Sequence, residues 1–278
     1  MLWHCPLCKS KFSLVDKTLR CDNGHSFDQA RQGYFNFHLV NKKKTLKPGD
    51  SKDMILARRD FLNLGHYAPL AKLLQNVLST HLEKTSEAKL LDLGCGEAYY
   101  LSELRNAGGL SDSISIYGID ISKDAIIHAC KRKISKTQFA VASTFDIPAI
   151  AETIDAAVNV FAPFDETEVV RVLKSEGVFV RASPGPRHLI ELKTVIYQTP
   201  EFHSHPTDLV ELQKTGEKTI TNRIRLTSMD ALEQLKKMTP YAWKGDQELL
   251  AKWAKTELKD RGHIEMTTDF IVDIWQKI

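Results

Sequence analysis

The chain has 278 residues, 42% hydrophobic and 26% charged, an ordinary globular balance with length enough for a sizeable core. No stretch approaches the roughly 18 apolar residues that a membrane helix needs, and the opening MLWHCPLCKS does not read as a secretory leader. These features argue against a membrane protein or a secreted disulfide scaffold, and the five cysteines point to a reducing cytoplasm. The net charge of +3 is uneven: residues 1–65 carry twelve Lys/Arg against six Asp/Glu, and the remainder carries 26 against 29. A polyanion would be drawn to the first quarter.

That quarter opens with Cys5-x2-Cys8-x12-Cys21-x3-His25. Two close pairs a dozen residues apart have structural-zinc spacing: each short loop presents two ligands, and a hairpin brings the pairs together. Three thiolates and an imidazole fill a tetrahedron, so this Zn²⁺ is expected to fold the segment rather than catalyse. The run Lys42, Lys43, Lys44 and Lys47 ends at Pro48-Gly49 and reads equally as a solvated linker or as phosphate contacts. Ser51 is placed to cap a helix reaching about Leu64, with Gly65 ending it, and Arg58 and Arg59 extend the basic surface. Leu70, Leu73, Leu74, Val77 and Leu78 recur with helical spacing, which predicts core packing.

Next, KLLDLGCGEAYY (89–100) is an apolar strand ending in Asp92-Leu-Gly94-Cys95-Gly96 before a helix. The glycines permit a tight turn and close approach of a ligand. Tyr99 stands where a dinucleotide fingerprint needs a third glycine, which turns the reading from a pyrophosphate toward S-adenosylmethionine (SAM). A second strand, SIYGIDIS (115–122), ends in Asp120, an acid able to accept both ribose hydroxyls or to help cap the next helix. Further strands are predicted at 137–143, 154–163 and 177–184, then at 219–227 and 267–275. Strand and helix alternate, so an α/β fold with a mostly parallel, seven-stranded Rossmann-like sheet is expected.

The combination resembles the RlmA family of bacterial 23S ribosomal RNA guanine-N1 methyltransferases. The similarity runs nearly end to end, through the Cys5, Cys8, Cys21, His25 knuckle, PGDS, ARRDFLNLGHY, LLDLGCGEAYY, PGPRHL (184–189), MTPYAW and the TTDF…WQ ending. It implies a Rossmann-like methyltransferase that is dimeric, uses SAM and modifies guanine N1 in a hairpin loop of domain II of the large-subunit RNA. It also implies cofactor contacts at Tyr67, the Gly94–Cys95–Gly96 loop and His188. The family usually has glycine where Ala98 sits. Position 143, an acid in many methyltransferases, is Ser143 here, so backbone groups of Ala142 and Ser143 are the alternative contacts for adenine. The division expected is 1–38 as a zinc-binding RNA-recognition module, 39–84 as basic connector and helices, and 85–278 as the methyltransferase domain.

Guanine N1 carries a proton at neutral pH, so methylation there needs a base or stabilisation of the anion. Asn159, Phe161 and Pro163 occupy the place of the amino-methyltransferase N/D-P-P-Y/F motif without matching it, which argues against an exocyclic amine target. Phe161 reads as a base-stacking or core residue, Asp165 and Glu166 as proton acceptors or solvated loop acids, and Arg187 as a holder of phosphate or O6. No base is assigned. Two rivals are a small-molecule SAM methyltransferase, which would not need a basic zinc module, and a non-catalytic RNA-binding assembly factor, which would not need an intact cofactor loop.

Overall fold

The computed structural model describes residues 2–39, 49–83, 85–106, 109–239 and 245–278. Lys42, Lys43, Lys44 and Lys47 of the predicted RNA contacts lie outside the described residues. Three short antiparallel strands open the chain: β1 (Ser13–Val15), β2 (Thr18–Arg20) and β3 (Ser26–Asp28). The β1–β2 hairpin lies between the Cys8 and Cys21 ligand pairs, as their spacing requires. Strand β4 (Phe35–Asn36) then leaves this unit and joins the large sheet.

Helix α1 (Lys52–Asn63) begins where the sequence places it, with Ser51 Oγ accepting from the Met54 amide, and it stops before Gly65 at φ 79°. Helix α2 (Ala68–Leu82) starts at Tyr67 with Pro69 in its first turn, where a missing amide hydrogen costs nothing. It buries Leu70, Leu74, Val77 and Leu78.

The alternating region follows: β5 (Lys89–Leu93), α3 (Tyr99–Arg105), β6 (Ser115–Asp120), α4 (Lys123–Lys131), β7 (Thr137–Val141), β8 (Ile154–Val160), α5 (Glu166–Val172), β9 (Leu173–Pro184) and α6 (Ile190–Ile196). It closes with β10 (Gln213–Leu226), α7 (Met229–Lys237), α8 (Gln247–Arg261) and β11 (Ile264–Gln276). The sheet order is β10-β11-β9-β8-β5-β6-β7-β4. Strands β5 to β9 pair in parallel, while β11 runs antiparallel between β9 and β10. The sheet therefore has eight strands rather than the seven expected, because β4 of the N-terminal segment pairs with β7 through Phe35 and Ala140. A two-residue strand carries no periodicity for sequence reading to detect.

Alternation along each strand builds two cores. Leu90, Ile116, Ala156 and Val180 face the α2 side, whereas Leu91, Tyr117, Ala157 and Phe179 face the other. The N-terminal unit has no separate core. Leu2, Trp3, Phe12, Phe35 and Phe37 merge with Leu91, Tyr117 and Ile119 on that second face. Trp3 is fully buried, edge-on to Tyr117 at 5.4 Å and to Phe37 at 5.8 Å. Backbone bonds from His4 N to Pro148 O and from Ile150 N to Leu2 O fasten the same corner. A tetrahedral knot of side chains with few aliphatics thus gains its apolar partners from the sheet.

This continuity predicts that Trp3→Ala destabilises the whole molecule, by about 3–5 kcal/mol. Denaturant unfolding followed at once by far-ultraviolet circular dichroism and by metal release should show one transition shifted to lower midpoint. Separate transitions for the two probes would mean that the N-terminal unit folds alone.

Candidate active site and zinc-ligand cluster

Strand order reverses at β5, with β6 on one side and β8 on the other, and such a switch point in a doubly wound sheet leaves a crevice at the carboxyl ends of the strands. Here it is a cavity of about 640 Å³, walled by the ends of β5, β6 and β8, by the loop after β9 and by α1. Gly94 is indispensable to its shape. It sits at φ 81°, and a Cβ there would lie 2.3 Å from the Cβ of Ala162 in the loop after β8. Gly96 (φ 55°) gives its amide to Asp120 Oδ2 at 2.9 Å, and Ser122 gives its amide to Oδ1 at 2.7 Å. Asp120 therefore both fastens the glycine loop and stands at the start of α4, where Ser122 accepts from Ala125 N as the N-cap. Ala98, the position where the family usually has glycine, adopts φ 63° at the N-cap of α3. The departure leaves the turn in place at the cost of placing a Cβ in the left-handed region.

The electrostatics of the loop ask for a cation. Burial, reinforced by the Asp120 charge, pushes the Asp92 carboxyl up to about 8. Burial raises Asp120 as well, although its two amide partners oppose the rise. Glu97 Oε2 accepts from Arg132 Nε at 2.7 Å, yet its Oε1 is buried with no hydrogen-bond partner among the described residues. An acid with a folded pKa of about 8 holds a proton in the native state that it loses on unfolding. Apo stability due to Asp92 thus falls as pH rises from the ordinary carboxyl range to about 8. SAM, which carries an ammonium and a sulfonium, fits this donor-poor, acid-rich cradle.

Tyr67 and His188 meet across the cavity. His188 Nδ1 accepts from the Asp269 amide at 3.2 Å, which leaves the proton on Nε2, facing Tyr67 Oη at 3.3 Å. Burial drives the His188 imidazole down to about 3, so it is neutral. With Nδ1 already accepting and Nε2 protonated, it has no lone pair to offer as a base. The wider loop is set by Asp269, whose Oδ2 accepts from Arg187 N and whose carbonyl accepts from Gly185 N.

Tyr67, Asp92, Gly94, Cys95, Gly96, Asp120, Ser143 and His188 all line this one cavity. Ala142 stands behind the wall, its amide donated to the Asp120 carbonyl. Arg58 and Arg59, read as extensions of the basic surface, are both engaged: Arg58 lines the cavity from α1 and pairs with Asp50, and Arg59 pairs with Asp60 at 2.7 Å. Asn159 is buried and donates to Leu93 O at 2.7 Å, joining the ends of β8 and β5. Asp165 caps α5, and Glu166 Oε1 accepts from the amides of Val210 and Glu211. These acids are occupied by structure. Phe161 keeps the pocket role: it is 42% exposed at the cavity wall, at φ 58°, with Phe270 centred 5.6 Å away. Sequence reading misses Glu97, Phe145 and His203, which also line the cavity. Glu97 follows the glycine loop directly and could have been found there; nothing in the sequence around His203 marks it.

At the other end of the molecule, Cys5, Cys8, Cys21 and His25 place one ligand atom each within 4.8 Å of the others. Cys8 and Cys21 Sγ are 3.6 Å apart, and His25 Nδ1 is 3.6 Å from Cys5 Sγ and 3.4 Å from Cys21 Sγ. A tetrahedral Zn²⁺ with ordinary bond lengths needs ligand separations of roughly 3.5–3.8 Å, which these three closely match. The site would be closed and structural.

A strand-end glycine loop, an acid on the next strand and an acidic crevice define a SAM-dependent methyltransferase of the Rossmann-like class. The family model described as "RlmA, N-terminal" matches residues 3–46, and a methyltransferase-domain model matches residues 84–227. A Streptomyces fradiae protein named 23S rRNA (guanine(748)-N(1))-methyltransferase is 31% identical over 90% of this chain and 88% of its own length. The Bacillus subtilis (strain 168) protein YxjB, provisionally named a 23S rRNA (guanine-N(1)-)-methyltransferase, is 28% identical over 99% of this chain and 97% of its own. The chain belongs to the family of 23S rRNA guanine-N1 methyltransferases. Among the described residues no helix is long and apolar enough to cross a membrane.

The Gly94 geometry predicts that Gly94→Ala lowers SAM affinity at least about tenfold, roughly 1.4 kcal/mol. Calorimetric titration with SAM measures it. Wild-type affinity in the variant would mean that the loop accommodates a side chain the structure leaves no room for.

Proposed function

We propose that this protein transfers the methyl group of SAM to N1 of a guanine in a hairpin loop of domain II of 23S rRNA, acting as a cytoplasmic homodimer. The observation that carries the reading is the joining, in one chain of this family, of an acidic cofactor crevice and a closed Cys₃His knuckle. The division of labour follows: residues 1–38 as the zinc-binding RNA-recognition module, 39–84 as basic connector and helices, and 85–278 as the methyltransferase domain. The basic excess of the first 65 residues supports a polyanionic partner. The small-molecule rival leaves that excess and the zinc knuckle without a purpose.

When bound, SAM supplies a methyl carbon already activated by its sulfonium, so the protein's main task is positioning. Asp120 would accept from the ribose hydroxyls, Asp92 and Glu97 would face the cationic end, and Ser143 and the exposed ring of Phe145 would border the adenine. Tyr67 and neutral His188 would fix the wall nearest the reacting centre. Phe161 would stack on the target base once it leaves its neighbours. Unstacking costs less in a hairpin loop than in a duplex.

Incubation with SAM and unmodified 23S rRNA, followed by digestion and nucleoside mass spectrometry, should yield 1-methylguanosine, with yield falling as salt rises. A methyl group appearing only on an exocyclic amine, or on no RNA nucleoside, would refute the reading.

A further inference from the structure

Two side chains on the cavity wall hold a buried polar atom with no hydrogen-bond partner among the described residues, Glu97 Oε1 and Tyr100 Oη. Glu97 is only 2% exposed. Arg132 Nε donates to its carbonyl at 2.9 Å and to its Oε2 at 2.7 Å. Arg132 is itself steadied by Asn63 Oδ1 at 3.1 Å and by the Tyr99 ring, 5.7 Å below its guanidinium. One carboxylate oxygen is thus fixed and the other is left bare. Burial raises the Glu97 carboxyl, and the Arg132 charge opposes the rise. Tyr100 stands three residues further on, in the first turn of α3. Burial lifts its phenol well above the ordinary value, so the hydroxyl keeps its proton and can donate.

Native proteins seldom leave buried polar atoms unpaired, and two of them on one cavity wall mark a place that a ligand completes. One is an acceptor and the other a donor. The amino-acid end of SAM carries the matching groups, an ammonium that only donates and a carboxylate that only accepts. The direction of the cofactor agrees. Asp120 ends β6 and Ser143 follows β7, so ribose and adenine are directed along the sheet toward β7. Glu97 and Tyr100 lie beyond the glycine loop on the other side, at the start of α3. There the charges of Arg58 and Asp92 are felt at the Tyr100 hydroxyl.

We propose that Glu97 and Tyr100 read the amino-acid end of the cofactor, Glu97 Oε1 accepting from the SAM ammonium and the Tyr100 hydroxyl donating to its carboxylate. They thereby select SAM over adenosine thioethers that lack either group. The inference rests on the cofactor placement given above and is independent of which RNA atom is methylated.

The test is calorimetric titration of the full-length zinc-loaded protein and of Glu97→Gln and Tyr100→Phe. Glutamine keeps an oxygen for Arg132 and turns the bare acceptor into an amide donor, and phenylalanine removes only the hydroxyl. Glu97→Gln should lose at least about tenfold in affinity for SAM and for S-adenosylhomocysteine alike, since both carry the ammonium. It should lose as much for decarboxylated S-adenosylhomocysteine, and no more than threefold for 5′-methylthioadenosine, which has no amino-acid end. Tyr100→Phe should lose about tenfold for SAM and S-adenosylhomocysteine and stay within threefold for the decarboxylated form. Without ligand, Tyr100→Phe should melt no lower than wild type, because it removes an unpaired buried hydroxyl. SAM affinity within threefold of wild type in either variant would overturn that residue's assignment. Equal losses for SAM and 5′-methylthioadenosine, or a lowered melting temperature in Tyr100→Phe with unchanged SAM affinity, would make the role structural and equally overturn it. A loss in Glu97→Gln confined to SAM would assign the acid to the sulfonium instead. Wild-type protein that binds neither SAM nor S-adenosylhomocysteine would remove the cofactor placement itself.

Discussion

Two carboxyl groups, Asp92 and Asp120, are buried on neighbouring strands at the carboxyl edge of the sheet, and much of the molecule is arranged around that fact. Strands β5 and β6 pair residue by residue up to this point, so the acids cannot move apart without breaking the ladder. Repulsion and desolvation are held in place by the hydrogen bonds of the Gly96 and Ser122 amides and by the dense apolar core beneath. The site is costly to the apo protein and favourable to a cation. A cofactor whose sulfonium charge disappears on methyl transfer would exploit this, because the product would keep only the ammonium part of that attraction.

The same sheet supports the N-terminal zinc unit. Its ligands converge in a small antiparallel sheet, but its apolar side chains finish the core over β5, β6 and β7. The metal and the sheet face therefore stabilise each other's surroundings. Strand β4 joins the unit to β7, and Met54, Arg58 and Leu62 of α1 form a wall of the cofactor cavity.

Much of this was legible in the sequence because local rules and global fold agree there. The Cys/His spacing, the Ser51 and Ser122 caps, the glycine loop and Asp120 each carry a short-range physical signature: the four ligand atoms converge, both serines cap their helices, and Asp120 holds the glycine loop. The less legible features depend on distant partners. Arg58 and Arg59 look basic in sequence, but their charges are met by Asp50 and Asp60. Asp165 and Glu166 read as solvated loop acids or proton acceptors, yet capping of α5 and anchoring of Val210 and Glu211 occupy them. His203 belongs to a coil without periodicity, and only folding carries it to the cavity.

The central claim is that a buried, protonated Asp92 awaits a positively charged cofactor. Calorimetric titration of the zinc-loaded protein with SAM at pH 7, in buffers of differing ionisation enthalpy, measures protons exchanged on binding. With a carboxyl pushed up to about 8 in the free protein, binding should release close to one proton. The release should disappear in Asp92→Asn and be much smaller for neutral S-adenosylhomocysteine. Binding of SAM without linked proton release, or release undiminished in Asp92→Asn, would contradict the account.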